Sequence, residues 1–373
     1  MKNTEFSILK GLGIIAVVIG HSSWRLDNIF DPYSFHMALF IFISGYFYKI
    51  SYEDNCILFI KNKIKSLVIP YFLYNLFYAV LTNMIYRLSG LILGSEFTIK
   101  NFFIRPFVDG HQYDLFLPAW FVLQLFIIQV VFLFLYKFIK KITSKKYIHF
   151  LIFLSLALLG TTVGTLFSLE NIYLIACRTF FGLFFFYFGL LYRNSIEKIT
   201  IFNTKILFFI IILQVILSQN FNVNYELVWG KFHGGIALPI VTSINGIYLY
   251  LFITKSLYRL IPKNDFLVKI GENSFHIMAN HLLVFFILNI FFIKFNNLEF
   301  SLLQNIWFKY NIEKTWWLYI SLGVLVPTII AFIFNNIKNY IQVKNTLYFK
   351  LIKPKSPSLI FRLVVKPLKN LKK

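Results

Sequence analysis

The sequence predicts an all-α, polytopic membrane protein with about ten transmembrane helices and both termini in the cytoplasm. Three observations predict this fold: the composition, the length of the apolar runs and the distribution of charge. Of the 373 residues, 58% are hydrophobic and only 14% are charged, and the mean hydropathy is +0.70. So few polar side chains cannot cover the surface of a water-soluble protein, which excludes an ordinary cytosolic domain.

The apolar residues fall into ten runs that charged or turn residues separate. A helix needs about 20 mostly apolar residues to cross a hydrocarbon core about 30 Å thick. The first run continues into Gly20-His21-Ser22-Ser23 and not into a small-residue cleavage site, so we interpret it as a retained helix and not as a signal peptide. The seventh run is short for a full span. The runs are Phe6–Trp24, Ser34–Ile50, Ile64–Tyr86, Pro118–Phe138, Ile148–Phe167, Ile172–Tyr192, Ile206–Ser218, Ile236–Thr254, Ser274–Ile293 and Trp316–Phe334.

The formal net charge of +22 lies almost entirely on one side of the predicted membrane. The segments on the side of the termini hold 28 of the 37 basic and 6 of the 15 acidic residues, and the opposite side holds 8 basic and 9 acidic residues. Because basic residues concentrate in cytoplasmic loops, we place the termini in the cytoplasm. Topology and attraction to anionic lipid explain most of this charge, so we predict no nucleic-acid partner. Residues 1–334 are predicted to form the membrane domain and residues 335–373 a basic cytoplasmic tail.

Two ionisable residues lie on one stripe of the first helix. Lys10 and His21 are eleven residues apart, which is about 1100° of rotation, or three turns plus about 20°, and a rise of about 16.5 Å. A cation at the inner mouth and an imidazole past the midplane suit a ligand whose charged end stays inside while its reactive end reaches across. Ionisable groups in membrane helices are costly and usually functional. The alternative is a cytoplasmic anchor at Lys10 and an interfacial histidine at His21.

The next two helices carry further polar residues. His36 enters the second helix near the predicted level of His21, and Ser44 with Gly45 permits close helix packing. Lys63 and Lys65 precede the third helix, where they either hold phosphates or are ordinary inside-positive loop residues. His36 is alternatively an interfacial residue.

Several short motifs follow one another in order along the chain. They are Lys10 ten residues before His21, Phe35-His36-Met37 leading to Ser44-Gly45-Tyr46, a basic cluster running into Pro70-Tyr71, Pro118-Ala119-Trp120-Phe121, Arg178 with Gly182 and Gly189, and Gly271-Glu272-Asn273-Ser274 followed by His281. This set resembles the acyltransferase 3 family of integral membrane acyltransferases, for which ten helices is the usual number. The likeness covers about Phe6 to Phe334.

The chain departs from the family pattern in three respects. Lys10 stands where many members have arginine, and lysine lacks the bidentate fork of a guanidinium. Ala38 replaces a frequent proline, and we expect no soluble domain after the last helix. None of these differences removes a candidate reactive group.

The resemblance implies transfer of an acyl group, most often acetyl, from cytoplasmic acyl-CoA to a hydroxyl of an extracytoplasmic glycan. It implies a multi-pass protein of the bacterial cytoplasmic membrane that works in membrane lipid, with acyl-CoA as co-substrate and no bound cofactor. The seven histidines have no acidic or cysteine partner at ligand spacing, so we expect no metal. The acceptor sugar, the oligomeric state and the choice between acetyl and longer or succinyl groups stay open.

Each candidate residue has a role in this chemistry. His21 is the predicted base, or alternatively a covalent acyl relay. His36 orients His21 or shares its proton, and Arg178 stabilises the oxyanion or contacts the acceptor, unless it forms a structural ion pair. The predicted acyl-CoA ligands are Lys10, Lys63 and Lys65, and the candidate tunnel or acceptor contacts are Ser44, Asn75, Trp120 and His281. Trp120 is alternatively an aromatic-belt residue, and His281 a bridge between helices.

Other readings of the same features compete with this one. The long outward segment from Arg87 to Leu117 either covers the site and selects the acceptor or is an ordinary linker. A carrier or flippase for lipid-linked sugars is also aromatic-rich with intramembrane charges, but we find no paired halves with matching broken helices. A silent sensor or scaffold would tolerate loss of the stripe from Lys10 to His21.

Overall fold

The computed structural model describes residues 3–23, 29–198, 202–262 and 265–352, and within them it is almost entirely helical. The end of the first predicted run at Trp24 and residues 353–373 of the predicted tail lie outside this part. The helices are α1 Thr4–His21, α2 His36–Tyr46, α3 Cys56–Lys63, α4 Ile69–Ser89, α5 Arg105–Val108, α6 Trp120–Ile142, α7 Lys146–Leu166, α8 Asn171–Leu191, α9 Thr204–Asn220, α10 Leu238–Tyr258, α11 Phe266–Glu272, α12 Ser274–Phe295 and α13 Ile312–Ile352.

The predicted all-α, polytopic membrane fold is confirmed. Among the described residues, eight segments are long and apolar enough to cross a membrane, and α2 and α9 are shorter apolar helices. These ten elements coincide with the ten predicted runs. The eight long segments are Thr4–His21, Cys56–Ser89, Asp114–Ile142, Lys146–Leu166, Asn171–Ile196, Leu238–Tyr258, Ser274–Phe295 and Ile312–Phe334.

The shortness of α2 follows from its position inside the protein. Eight of its eleven residues are buried, so most of its surface packs against protein and not lipid. Irregular backbone at membrane depth is tolerated where protein surrounds it. By contrast, α9 buries only Ile210 and Gln214. The last helix continues to Ile352 and therefore includes the start of the segment that was predicted as a tail.

Two clusters of buried apolar side chains form the core of the unit that ends at Thr328. One cluster lies among α2, α6, α7 and α8, and the other among α1, α4, α6, α12 and the first half of α13. Met37 and Phe40 on α2 pack against both clusters. The boundary between the clusters therefore runs along α2, and the cavity described below lies at this boundary.

The helix pair α2 and α8 packs through glycines at close range. A Cβ atom on Gly45 would lie 1.9 Å from the carbonyl oxygen of Phe186, and one on Gly189 would lie 2.1 Å from that of Phe42. Small residues at such positions let membrane helices approach closely. This contact confirms the packing role of Gly45 and fixes α2, which carries His36, against α8, which carries Arg178.

Replacing Gly45 with valine is expected to destabilise the protein by about 3 kcal/mol or more, because the new side chain overlaps the backbone of α8. The measurement is the thermal unfolding midpoint of the detergent-solubilised protein. Ser155→Val is the matched control, since Ser155 is exposed on α7 and a valine there meets no core. An unchanged midpoint for Gly45→Val would contradict this packing.

The outer segment between α4 and α6 is tied to α4 by Asn75. Pro106 has no N–H, so it leaves the carbonyl of Phe102, four residues earlier, without its helical donor. The amide of Asn75 donates to this carbonyl at 3.1 Å and accepts from Gln112 at 2.7 Å. Gln112 also donates to the hydroxyl of Tyr71 at 2.8 Å. This network holds the segment that carries His111 and Asp114 against the helices.

Candidate active site

A cavity of about 540 Å³ extends along α1 between the two clusters. This volume is in the range of small-molecule sites. At one end, the lysine end, it is lined by Lys10, Ser44 and Ser274. At the other end, the histidine end, its polar and aromatic lining residues are His21, Tyr33, His36, His111, Asp114, Glu226, Trp229 and Trp307. The wall between the ends is mostly apolar and includes Ile14, Val17, Phe40, Leu125 and Met278.

The two ionisable residues of the predicted α1 stripe line the same cavity. Lys10, Ile14, Val17 and His21 all line the cavity. Their spacing of four, three and four residues keeps them on one face, with the two ionisable residues about 16.5 Å apart along the axis. The cavity therefore follows α1 for three turns, with a cation at one end and an imidazole at the other.

Three histidines near this end share one hydrogen-bonding pattern. The Nδ1 atom of His21 donates to the carbonyl of Val17 at 2.8 Å, and that of His281 donates to the carbonyl of Ile277 at 2.9 Å. His36 donates in the same way to Pro32. Because a carbonyl can only accept, Nδ1 must carry the proton in each case. The lone pair of each neutral imidazole is therefore on Nε2, where a base needs it.

The rings of this group form a connected cluster. His21 and His281 have ring centroids 5.0 Å apart. Tyr33 lies 6.1 Å from His21 and 5.3 Å from His36, so its ring is next to both. Trp307 lies parallel to His21 at 6.1 Å. Burial raises the pKa of the Tyr33 phenol, as do Asp31 and Glu226, so Tyr33 stays protonated at neutral pH.

His281 has a buried Nε2 atom with no hydrogen-bond partner among the described residues. An unpaired buried acceptor costs about 1–3 kcal/mol in an ordinary core. His281 does not line the cavity, as the predicted tunnel contact would require, and its ring instead lies next to that of His21, which joins α12 to α1.

The outward segment brings His111 into the cavity wall. The turn before it has Gly110 at φ +74°, and a Cβ there would lie 2.5 Å from Cβ of Trp120. His111 stacks on Trp229 with centroids 4.3 Å apart. Burial lowers the pKa of His111 to about 4, so its imidazole is neutral at pH 7. The predicted role of this segment as a cover is supported, because His111, Asp114 and Leu117 line the cavity.

Arg178 is buried, and its guanidinium does not line the cavity. It donates to the carbonyls of Leu227 and Val108 at 3.3 Å each and to that of Val228, and it lies 4.6 Å above the ring of Trp120. These bonds join the segment between α4 and α6 to the segment between α9 and α10. They favour a positioning role over the direct oxyanion contact that the sequence predicted.

The segment held by Arg178 is a short antiparallel hairpin of β1 Tyr225–Glu226 and β2 Lys231–Phe232. Its turn carries Trp229 at the histidine end of the cavity.

The three predicted acyl-CoA ligands are not equivalent. Lys10 lines the cavity with its ammonium 5.5 Å from the ring of Phe47. Lys63 does not line the cavity, and its ammonium lies 5.3 Å from the ring of Phe59. Lys65 is exposed, on a π-helical turn that spans Ile64–Val68. The structure thus places Lys10 in the cavity wall, Lys63 outside it and Lys65 on the surface.

The remaining predicted contacts also differ in whether they line the cavity. Ser44 and Trp120 line the cavity, and the Ser44 hydroxyl donates to the carbonyl of Phe40 at 3.0 Å. Asn75 does not line the cavity, because its side-chain amide is bonded to Phe102 and Gln112 in the segment between α4 and α6. Tyr33, Trp229, Trp307 and Lys309 had no predicted role, because they lie in segments between helices, where periodicity gives no signal. For His111 the sequence did offer a signal, because it directly follows Asp109-Gly110, a pair that marks a turn.

This fold and this cavity define a polytopic membrane protein with a histidine-based site that opens along its first helix. The family model described as an acyltransferase domain, that of the acyltransferase 3 family, matches residues 3–336. The chain belongs to this family. No curated protein and no solved structure matches the chain.

Proposed function

We propose that the protein is an O-acyltransferase of the bacterial cytoplasmic membrane that moves an acyl group, most often acetyl, from cytoplasmic acyl-CoA to a hydroxyl of an extracytoplasmic glycan. The observation that carries this proposal is that one cavity has Lys10 at one end and the available Nε2 of His21 at the other. The predicted orientation puts Lys10 on the side of acyl-CoA and His21 towards the surface.

The donor occupies the lysine end. Lys10, with Lys63 nearby, supplies cations for the phosphates of CoA. The apolar wall beyond suits the pantetheine arm and the acyl chain, which have few charges. The arm then brings the thioester to His21.

In the transfer step, the acceptor hydroxyl gives its proton to Nε2 of His21 while its oxygen bonds to the thioester carbon. The carbonyl electrons move to oxygen and form a tetrahedral oxyanion. Its collapse breaks the carbon–sulfur bond, and the thiolate takes the proton from His21. The bond from Nδ1 of His21 to Val17 keeps the imidazole in the required tautomer throughout.

The acceptor approaches the histidine end between Trp229 and Trp307, which are 42% and 46% exposed. Aromatic faces next to groups such as His111, Asp114 and Glu226 suit a sugar, which offers apolar ring faces and many hydroxyls. This chemistry supports a glycan acceptor without selecting one sugar.

The proposal predicts a sidedness that membrane vesicles can test. Right-side-out vesicles from cells that carry the gene retain their own surface glycans. Radiolabelled acetyl-CoA sealed inside is expected to label base-labile esters on these glycans, whereas the same compound added outside labels them little above background. Vesicles from cells without the gene give the background.

Two results would contradict the proposal. One is labelling from the outside that equals labelling from the inside. The other is labelling that persists unchanged without the gene.

A further inference from the structure

Lys309 is a buried cation outside the cavity wall, in the segment between α12 and α13. It is 9% exposed, and no carboxylate of the described residues pairs with it. Its ammonium donates to the carbonyl of Ile306 at 2.9 Å and lies 5.2 Å from the ring centroid of Phe285. A lysine that is buried without a counter-ion is costly, which calls for an explanation.

The backbone on both sides of Lys309 is held by polar groups of the membrane helices. The amide of Asn289 on α12 donates to the carbonyl of Phe308 at 2.8 Å. The N–H of Tyr310 donates at 3.0 Å to the hydroxyl of Tyr319 on α13, which in turn donates to Asn289 at 2.5 Å. This clamp fixes the position of Lys309 more firmly than an ordinary loop would.

The clamp places the ammonium beside the histidines. The ammonium lies 5.2 Å from the ring centroid of Phe285, the ring of Phe285 lies 5.7 Å from that of His281, and the ring of His281 lies 5.0 Å from that of His21. On α13 the clamp engages the titratable Tyr319, and on the same segment as Lys309 the ring of Trp307 lies parallel to that of His21. The fixed positive charge therefore acts where the proposed reaction develops negative charge.

We propose that Lys309 is an electrostatic positioning residue whose ammonium stabilises the oxyanion formed next to His21. This inference rests on the proposed function. Lys309 does not line the cavity, so it acts through its charge and not by contact with the substrate. In a site that excludes water, a fixed charge of this kind is worth much more than in solution.

The pH dependence of transfer tests this role. Burial lowers the pKa of Lys309 to about 8. The stabilising charge is present below this pH and is lost above it, so the wild-type rate is expected to fall as the pH rises through about 8. Lys309→Arg keeps its charge throughout, so its rate should hold at alkaline pH. Lys309→Met is expected to lower the maximal rate about tenfold or more below pH 8, with little change in the KM for acetyl-CoA, and the difference from wild type should shrink as the pH rises above 8.

The experiment uses the right-side-out vesicles loaded with radiolabelled acetyl-CoA and buffered alike on both sides. Two results would overturn the inference: an unchanged rate for Lys309→Met at pH 7, or the same alkaline loss in Lys309→Arg as in the wild type. If Lys309→Met does not reach the membrane, the comparison of arginine with wild type decides. Absence of transfer by the wild type would instead contradict the proposed function.

Discussion

Replacing His21 with alanine is expected to lower acyl transfer by about 10²–10⁴-fold, the usual loss for a general base. His21 is the histidine on the α1 stripe, and its Nε2 atom is available because Nδ1 is bonded to Val17. The measurement compares, by mass spectrometry, the acyl groups on glycans from cells with the wild-type and the altered protein.

His149→Gln is the matched control, because His149 is also a buried histidine of a membrane helix but bonds to Thr143, away from the cavity. It is expected to leave acylation unchanged. Full acylation with His21→Ala would remove His21 from the chemistry. Acyl label on a His21 peptide after acid quenching would indicate the covalent relay in place of the base.

Replacing Arg178 with methionine is expected to lower transfer by about 100-fold. The change leaves the carbonyls of Val108, Leu227 and Val228 without their donor, at about 1–3 kcal/mol for each buried group. The hairpin and the segment between α4 and α6 then separate. Because each tenfold loss of rate corresponds to about 1.4 kcal/mol, a 100-fold loss corresponds to about 3 kcal/mol, which is within the cost of these unpaired carbonyls. The measurements are the rate of transfer in vesicles and the rate of tryptic cleavage after Lys231, which should increase.

Arg193→Met serves as the control, since Arg193 also donates to a backbone carbonyl, that of Tyr46, but lies away from the cavity. Transfer and cleavage at Lys231 should stay close to wild type in this variant. If Arg178→Met loses transfer while cleavage stays slow, Arg178 acts on the reaction itself and the positioning role is wrong.

Much of the fold follows from local properties of the sequence. Apolar runs predict the helices because a membrane leaves no other partner for backbone groups. The stripe from Lys10 to His21 is predictable because both residues belong to one helix, whose period fixes their relative face. The close contact at Gly45 was also visible as a Ser-Gly pair in an apolar run.

Residues that meet from distant segments escaped this reasoning. Arg178 was expected near the oxyanion or the acceptor, or in an ion pair, but its carbonyl partners lie 49, 50 and 70 residues away along the chain, in two segments without regular pattern. Asn75 was expected at the tunnel, but it satisfies a carbonyl that Pro106 leaves free. Neither set of partners has a signal in the sequence near the residue itself.

The sequence by itself determined the membrane class, the ten apolar elements and the stripe on α1, because composition and helical period are local. Only the tertiary structure decided that His281 lies beside His21, that Lys65 stays on the surface and that Lys309 is clamped near the histidines. Hydrogen bonds between helices and returning segments fix these arrangements, and such bonds depend on which elements meet in space.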